Sequence, residues 1–105
     1  MTEELRKRIA DTIVRGRVML FMKGNPAMPQ CGFSAAVVGI LKQTGVTFDS
    51  YNILADPELR EGLKEYSSWP TFPQLYVDGK LVGGADIVRD LHQKGELAQI
   101  LAPNA

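Results

Sequence analysis

Arg17-Val18-Met19-Leu20-Phe21-Met22-Lys23 is the stretch that decides the fold. Val18, Leu20 and Met22 alternate with Met19 and Phe21, so an extended chain here is apolar on both faces. A strand of that kind sits in the middle of a sheet covered by helices on both sides. Upstream, Leu5, Ile9 and Ile13 recur at a spacing of four and predict a helix over residues 3–15, stopped by Gly16. Downstream, Pro26 and Pro29 mark residues 24–30 as a loop. Ala36, Val37, Ile40 and Leu41 then give helical spacing up to Gly45. Residues 47–53 read as a second strand. Asp56-Pro57 pairs an N-cap with proline at the first helical position, opening a helix through about Tyr66. Residues 74–77 and 80–82 flank Asp78-Gly79, a two-residue hairpin turn. Gly83-Gly84 leads into a helix with Ile87, Val88 and Leu91 on one face. Gly95 breaks it before a short last helix carrying Leu97, Ile100 and Leu101. The order α-β-α-β-α-β-β-α-α combines a parallel β-α-β unit with an antiparallel hairpin. The expected fold is α/β and thioredoxin-like, a mixed four-stranded sheet with helices on both faces.

The 105 residues suffice for one hydrophobic core, so a single domain over residues 1–105 is expected. Apolar residues are 45% and charged residues 23%, which excludes a disordered chain. Twelve basic residues balance twelve acidic ones, leaving no net field to draw in nucleic acid or anionic lipid. Arg6, Lys7 and Arg8 are interspersed with Glu3, Glu4 and Asp11 and read as a solvated helix face. The longest apolar run, residues 35–41, is far short of the ~20 residues of a membrane span. The first residues resemble neither a secretory signal nor a transit peptide. A single cysteine forms no internal disulfide and suits a reducing compartment; the cytoplasm is expected.

That cysteine, Cys31, is the chemically informative residue. It follows a buried strand and a proline-bearing loop and stands where the next helix begins. Backbone N–H groups at a helix N-terminus stabilise a thiolate, and Lys23 at the strand end adds positive charge, so a lowered thiol pKa is expected. A buried structural cysteine is the alternative, but flanking Gln30, Gly32 and Ser34 favour an accessible thiol. Ser34 stands where a C-x-x-C pair would place its second sulfur, and a hydroxyl cannot close a disulfide. Disulfide chemistry must therefore borrow an external thiol. A 2Fe–2S cluster usually takes four thiolates, of which this chain supplies one. Two chains and two small thiols such as glutathione would complete the set.

Cys31-Gly32-Phe33-Ser34, preceded by Lys23-Gly24 and Pro29-Gln30, resembles the C-G-F-S signature of monothiol glutaredoxins. Trp69-Pro70-Thr71-Phe72-Pro73-Gln74 and Gly83-Gly84-Ala85-Asp86 match two further blocks of that family in order, and the likeness covers essentially the whole chain. The resemblance implies a glutathione groove beside Cys31. Lys23 and Arg60 would hold the glycine carboxylate of the tripeptide; without the resemblance, Arg60 reads as a solvated residue of a charged helix. Phe72 would pair its backbone with the cysteinyl unit of glutathione like an added strand, before a cis Pro73. Backbone N–H groups of Ala85 and Asp86 would take the γ-glutamyl carboxylate, and the Asp86 side chain the ammonium; an ordinary Asp cap after a glycine turn is the alternative. Trp69 either stacks near the cluster or packs under Pro70 and Pro73. His92, with no ligand partner at spacing, is expected to be an ordinary helix residue. Many relatives carry a second cysteine at the position of Ala85, and its absence removes any mechanism that pairs with it.

The function so implied is to bind a glutathione-ligated 2Fe–2S cluster, with Cys31 as the protein's metal ligand, in a homodimer bridged by the cluster. The cluster would pass to apo iron–sulfur proteins, and a BolA-type protein would form a heterodimer with the chain. Two other readings use the same residues. One is a glutathione-dependent oxidoreductase with Cys31 as the catalytic thiol, and the other a regulatory interaction module acting through residues 32–34.

Overall fold

The computed structural model describes residues 1–103. Its central sheet runs in the order β4-β1-β5-β6, with β1 at Val18–Met22, β4 at Asp49–Asn52, β5 at Gln74–Val77 and β6 at Lys80–Gly83. β1 pairs in parallel with β4 and antiparallel with β5, which pairs antiparallel with β6. All five residues of β1 are buried. Val18, Leu20 and Met22 pack with residues of α2 (Gly32–Thr44), α4 (Ala85–Gln93) and α5 (Leu97–Leu101). Met19 and Phe21 pack on the other face with Ile9 and Ile13 of α1 (Glu3–Ile13) and with Leu59 and Leu63 of α3 (Pro57–Ser67). The alternation of β1 thus feeds two apolar layers, and this is the mixed, doubly covered sheet that its sequence implies.

Several boundaries differ from the sequence reading. Helix α1 ends at Ile13 rather than residue 15, with Val14 as its C-cap and strongly exposed; the stripe of Leu5, Ile9 and Ile13 is complete there, so a further half-turn would bury nothing. The proline loop is not structureless. Gly24–Asn25 (β2) and Met28–Pro29 (β3) pair as a miniature antiparallel hairpin. The strand expected over residues 47–53 is confined to Asp49–Asn52 and followed by a 3-10 turn at Ile53–Ala55. Asp78 and Gly79 both have positive φ, 51° and 77°, as a tight hairpin turn requires. The Phe72-Pro73 peptide bond is cis. His92 meets the Gln43 side chain at 3.0 Å, an ordinary helix-to-helix contact. Among the described residues no helix is long and apolar enough to cross a membrane.

Asp56 holds the second layer together. As N-cap of α3 its carboxylate accepts from Leu59 N–H at 3.1 Å, from Arg8 of α1 at 2.7 and 3.3 Å, and from the Tyr51 hydroxyl of β4 at 2.5 Å. The Arg8 hydrogen bond, aided by Tyr51 and the Leu59 N–H, holds this carboxyl well below the usual carboxylate range, against the opposing effect of burial. A lowered folded-state pKa stabilises the fold above the unfolded value, near 3.9, and that stabilisation is lost as pH falls below it. Asp56→Ala is expected to lower stability by about 2 kcal/mol at pH 7, through the lost cap and charged hydrogen bonds. Urea denaturation of both chains between pH 7 and pH 3 checks this. The gap should narrow below pH 4, and a gap constant with pH would refute the charge-based account.

Candidate functional site

Cys31 is the N-cap of α2, extended at φ −155° and ψ 137°, and its side chain makes no capping hydrogen bond. The thiol is partly exposed. Its pKa is lowered chiefly by the Ser34 N–H, with smaller help from the Phe33 N–H, the Lys23 charge and the Ser34 hydroxyl; partial burial acts the other way. Helix N–H groups thus contribute more than the lysine to lowering this pKa.

The strand end is pinned by α2, by the loop before it and by β4. Lys23 N–H donates to Ser34 Oγ at 3.1 Å, and its carbonyl accepts from Gln30 N–H at 2.8 Å. Gly24 N–H donates to Asn52 Oδ1 at 2.9 Å, an acceptor shared with Leu54 N–H at 3.0 Å. Ser34 is fully buried, so the residue in the place of a second sulfur also clamps the loop that carries Lys23.

Cys31 opens onto a groove of about 590 Å³. Lys23, Arg60, Phe72, Ala85 and Asp86 all line it with Cys31, brought together from the residue after β1, α3, the 69–73 segment and the start of α4. The Nε of Arg60 is buried and has no hydrogen-bond partner among the described residues, and Glu61 lies 3.9 Å from it, too far for one. The Asp86 side chain is almost wholly exposed and sits 3.8 Å from Arg89. Gly84 caps α4 without a side chain. A Cβ there would lie 3.2 Å from Trp69 Nε1 and 3.4 Å from the Pro73 carbonyl, so Gly84 lets the indole and the 69–73 segment close against α4. Trp69 therefore packs into the groove wall beside Pro73 and Gly84, with its Nε1 buried and without a hydrogen-bond partner among the described residues.

The sequence reading missed other groove residues. Lys64 lies one helical turn beyond Arg60 on α3, lines the same groove and pairs with Glu61 at 3.1 Å; the four-residue spacing was the available signal. Ile87, expected on the buried face of α4, is 37% exposed and lines the groove instead. The core side of α4 is filled by Val88, with Leu91 packed against it. No group of three or more His, Cys, Asp or Glu side chains that could hold a metal ion exists among the described residues.

A family model for glutaredoxin matches residues 18–82. An uncharacterized monothiol glutaredoxin, ycf64-like, from Synechocystis sp. is 52% identical over 101 residues, covering 96% of this chain and 94% of its own. The chain belongs to the monothiol glutaredoxins. Another relative of this glutaredoxin is the mitochondrial monothiol glutaredoxin-5 of Saccharomyces cerevisiae, 51% identical over 104 residues, spanning 96% of this chain and 69% of that protein. In the solution structure of reduced poplar apo GrxS14, 52% identical, the same glutaredoxin fold recurs with a TM-score of 0.78, covering 90% of this chain and 87% of that one.

Proposed function

We propose that this chain binds glutathione in the groove and, with it, carries a 2Fe–2S cluster that it passes to apo iron–sulfur proteins. The observation that carries the reading is a single, partly exposed thiol, Cys31, on a groove lined by Lys23, Arg60 and Lys64, beside a buried hydroxyl where a second sulfur would be needed. One soft ligand per chain leaves a cluster of four ligands to be completed from outside the chain, and two chains with two small thiols make up the set. The cargo is then bridged between two copies of this chain, or between one copy and a BolA-type partner, and its exchangeable small-thiol ligands suit a donor. A reducing compartment such as the cytoplasm keeps Cys31 free for this role.

The chain's own residues supply the ligand-binding chemistry. Lys23 and Arg60 attract the glycine carboxylate of glutathione. The Phe72 backbone pairs with its cysteinyl unit. Ala85 and Asp86 N–H groups at the start of α4 receive the γ-glutamyl carboxylate, and the Asp86 side chain accepts from the ammonium. The unpaired Arg60 Nε and the uncapped start of α4 agree with a groove built for an anionic ligand.

Anaerobic reconstitution with and without glutathione, followed by visible absorption and native mass, tests the reading. A coloured dimer that requires glutathione supports it, and a cluster formed equally well without glutathione refutes it. A second reading, glutathione-dependent disulfide exchange at Cys31, draws on the lowered thiol pKa. Rapid hydroxyethyl-disulfide turnover without a stable holo-dimer would favour it. Arg60→Met keeps the apolar stem and removes the charge, so it is expected to weaken glutathione binding about tenfold, as loss of a charge-assisted hydrogen bond does. Calorimetric titration measures this, and unchanged affinity would remove Arg60 from the site.

A further inference from the structure

Gln74, the first residue of β5, is fully buried. An amide in that position is costly unless each polar end finds a partner. Here both ends do. Nε2 donates to the Trp69 carbonyl at 3.0 Å and the Thr71 carbonyl at 3.2 Å, and Oε1 accepts from the Tyr76 hydroxyl at 2.9 Å. The orientation is dictated by chemistry, because two carbonyls can be met only by the NH2 end. Burial pushes the Tyr76 phenol up to about 12, so it keeps the proton it donates.

The two carbonyls belong to residues 69–73, all of which line the groove. This wall lies outside every helix and strand, and Pro70 and Pro73 have no N–H to give. A ladder therefore does not set its path, and the Gln74 amide ties it to the body of the domain from within. Among the described residues, neither the N–H nor the C=O of Phe72 is hydrogen-bonded within the chain. The carbonyls at 69 and 71 are turned inward, and the backbone groups at 72 are left for a ligand.

We propose that Gln74 is a positioning residue of the groove, holding the 69–73 wall so that the Phe72 backbone selects an extended, peptide-like thiol over thiols without a peptide backbone. The proposal deepens the glutathione reading above and rests on it. Tyr76 is the outer support of the same device, since its hydroxyl fixes the far end of the amide.

Trp69 is the chain's only tryptophan and lies in the wall itself, so its fluorescence reports the wall directly. The test uses the full chain as wild type, Gln74→Leu, the near-isosteric Gln74→Glu, and Tyr76→Phe. Acrylamide quenching of Trp69, calorimetric titration with glutathione and with 2-mercaptoethanol, and circular dichroism are measured on each. In folded Gln74→Leu and Gln74→Glu, quenching should rise and glutathione affinity should fall on the order of tenfold, as loss of two hydrogen bonds predicts. Affinity for 2-mercaptoethanol should not change, and Tyr76→Phe should shift the first two readouts the same way but less. A role confined to stability would lower the melting temperature and leave the preference between the two thiols intact. Unchanged quenching, or wild-type thiol preference in a folded Gln74→Glu chain, overturns the proposal. If the wild-type chain itself binds no glutathione, the glutathione reading and the selection step fall together, while the quenching result still decides whether Gln74 holds the wall. Should Gln74→Leu fail to fold, Gln74→Glu and Tyr76→Phe carry the test through the same readouts.

Discussion

Cys31→Ser is expected to abolish cluster binding while leaving the fold unchanged. The two halves of this result have separate causes. A hydroxyl is a hard, weakly acidic group and does not replace a thiolate toward iron, and no other group of metal-ligating side chains exists among the described residues to compensate. Stability follows from the place of the residue rather than its sulfur. Cys31 is an N-cap whose side chain makes no capping bond, and serine is among the best N-cap residues. The variant should therefore unfold at the same urea concentration as wild type or slightly higher. Cys31→Ala separates the effects, because it removes the ligand without adding a cap, and it should lose the cluster equally. Visible absorption after anaerobic reconstitution, beside denaturant midpoints for all three chains, measures both halves. A cluster at wild-type occupancy in either variant would show that Cys31 is not the ligand.

The same contrast between local chemistry and tertiary contact explains what the sequence disclosed. Elements whose signals are local were legible: the two-faced β1, the Asp56-Pro57 start of α3, the Asp78-Gly79 turn and the Cys31 helix start. Each depends on side-chain alternation, a cap or a turn conformation within a few residues. Features set by distant partners were not. The miniature hairpin of residues 24–29 is supported by Asn52 from β4, which binds Gly24 N–H across the fold. Ile87 satisfies the same helical period as Val88 and Leu91, yet it turns to the groove, because periodicity locates a face and not its exact edge. Lys64 and Gln74 escaped for opposite reasons. The lysine is one more charge on a helix that also carries Glu58, Arg60, Glu61 and Glu65, and nothing local sets it apart. The glutamine was absorbed into the family block Trp69-Pro70-Thr71-Phe72-Pro73-Gln74, although a polar residue opening a buried strand was a signal in its own right. Ser34 stands in the sequence as a missing sulfur and as a polar flank of an accessible thiol, whereas the residue is fully buried and its hydroxyl accepts from Lys23 N–H.

Ser34→Cys is expected to convert the chain from one that cannot close an internal disulfide into one that does. Cys31 is the N-cap of α2 and Ser34 stands three residues on, in its first turn, so a thiol at position 34 would lie less than one helical turn from the Cys31 sulfur. Residues three apart at a helix start also fall within the ~4.4–6.8 Å between Cα atoms that a bridge tolerates. The redox balance follows. Cys31 thiolate attacks a disulfide RS–SG at the glutathione sulfur, forming the Cys31–glutathione bond and releasing RS⁻. The new thiol at position 34, giving up its proton to solvent, then displaces glutathione thiolate and leaves an intramolecular disulfide. Two glutathiones reduce that bridge and become one oxidised glutathione. In wild type the second step must wait for an external thiol, so disulfide reduction should be faster in the variant, with the gain largest at low glutathione. Holo-cluster yield should fall under mildly oxidising conditions, because the bridge consumes the thiolate that iron needs. Full burial of position 34 sets a cost, since the larger sulfur also replaces the acceptor of the Lys23 N–H, and a modest drop in stability should accompany the gain. Thiol titration of the denatured chain after oxidation should find none free in the variant and one in wild type. If both thiols stay free and turnover is no faster, the missing sulfur is not what limits redox activity, and the geometry of the groove at Cys31 must be.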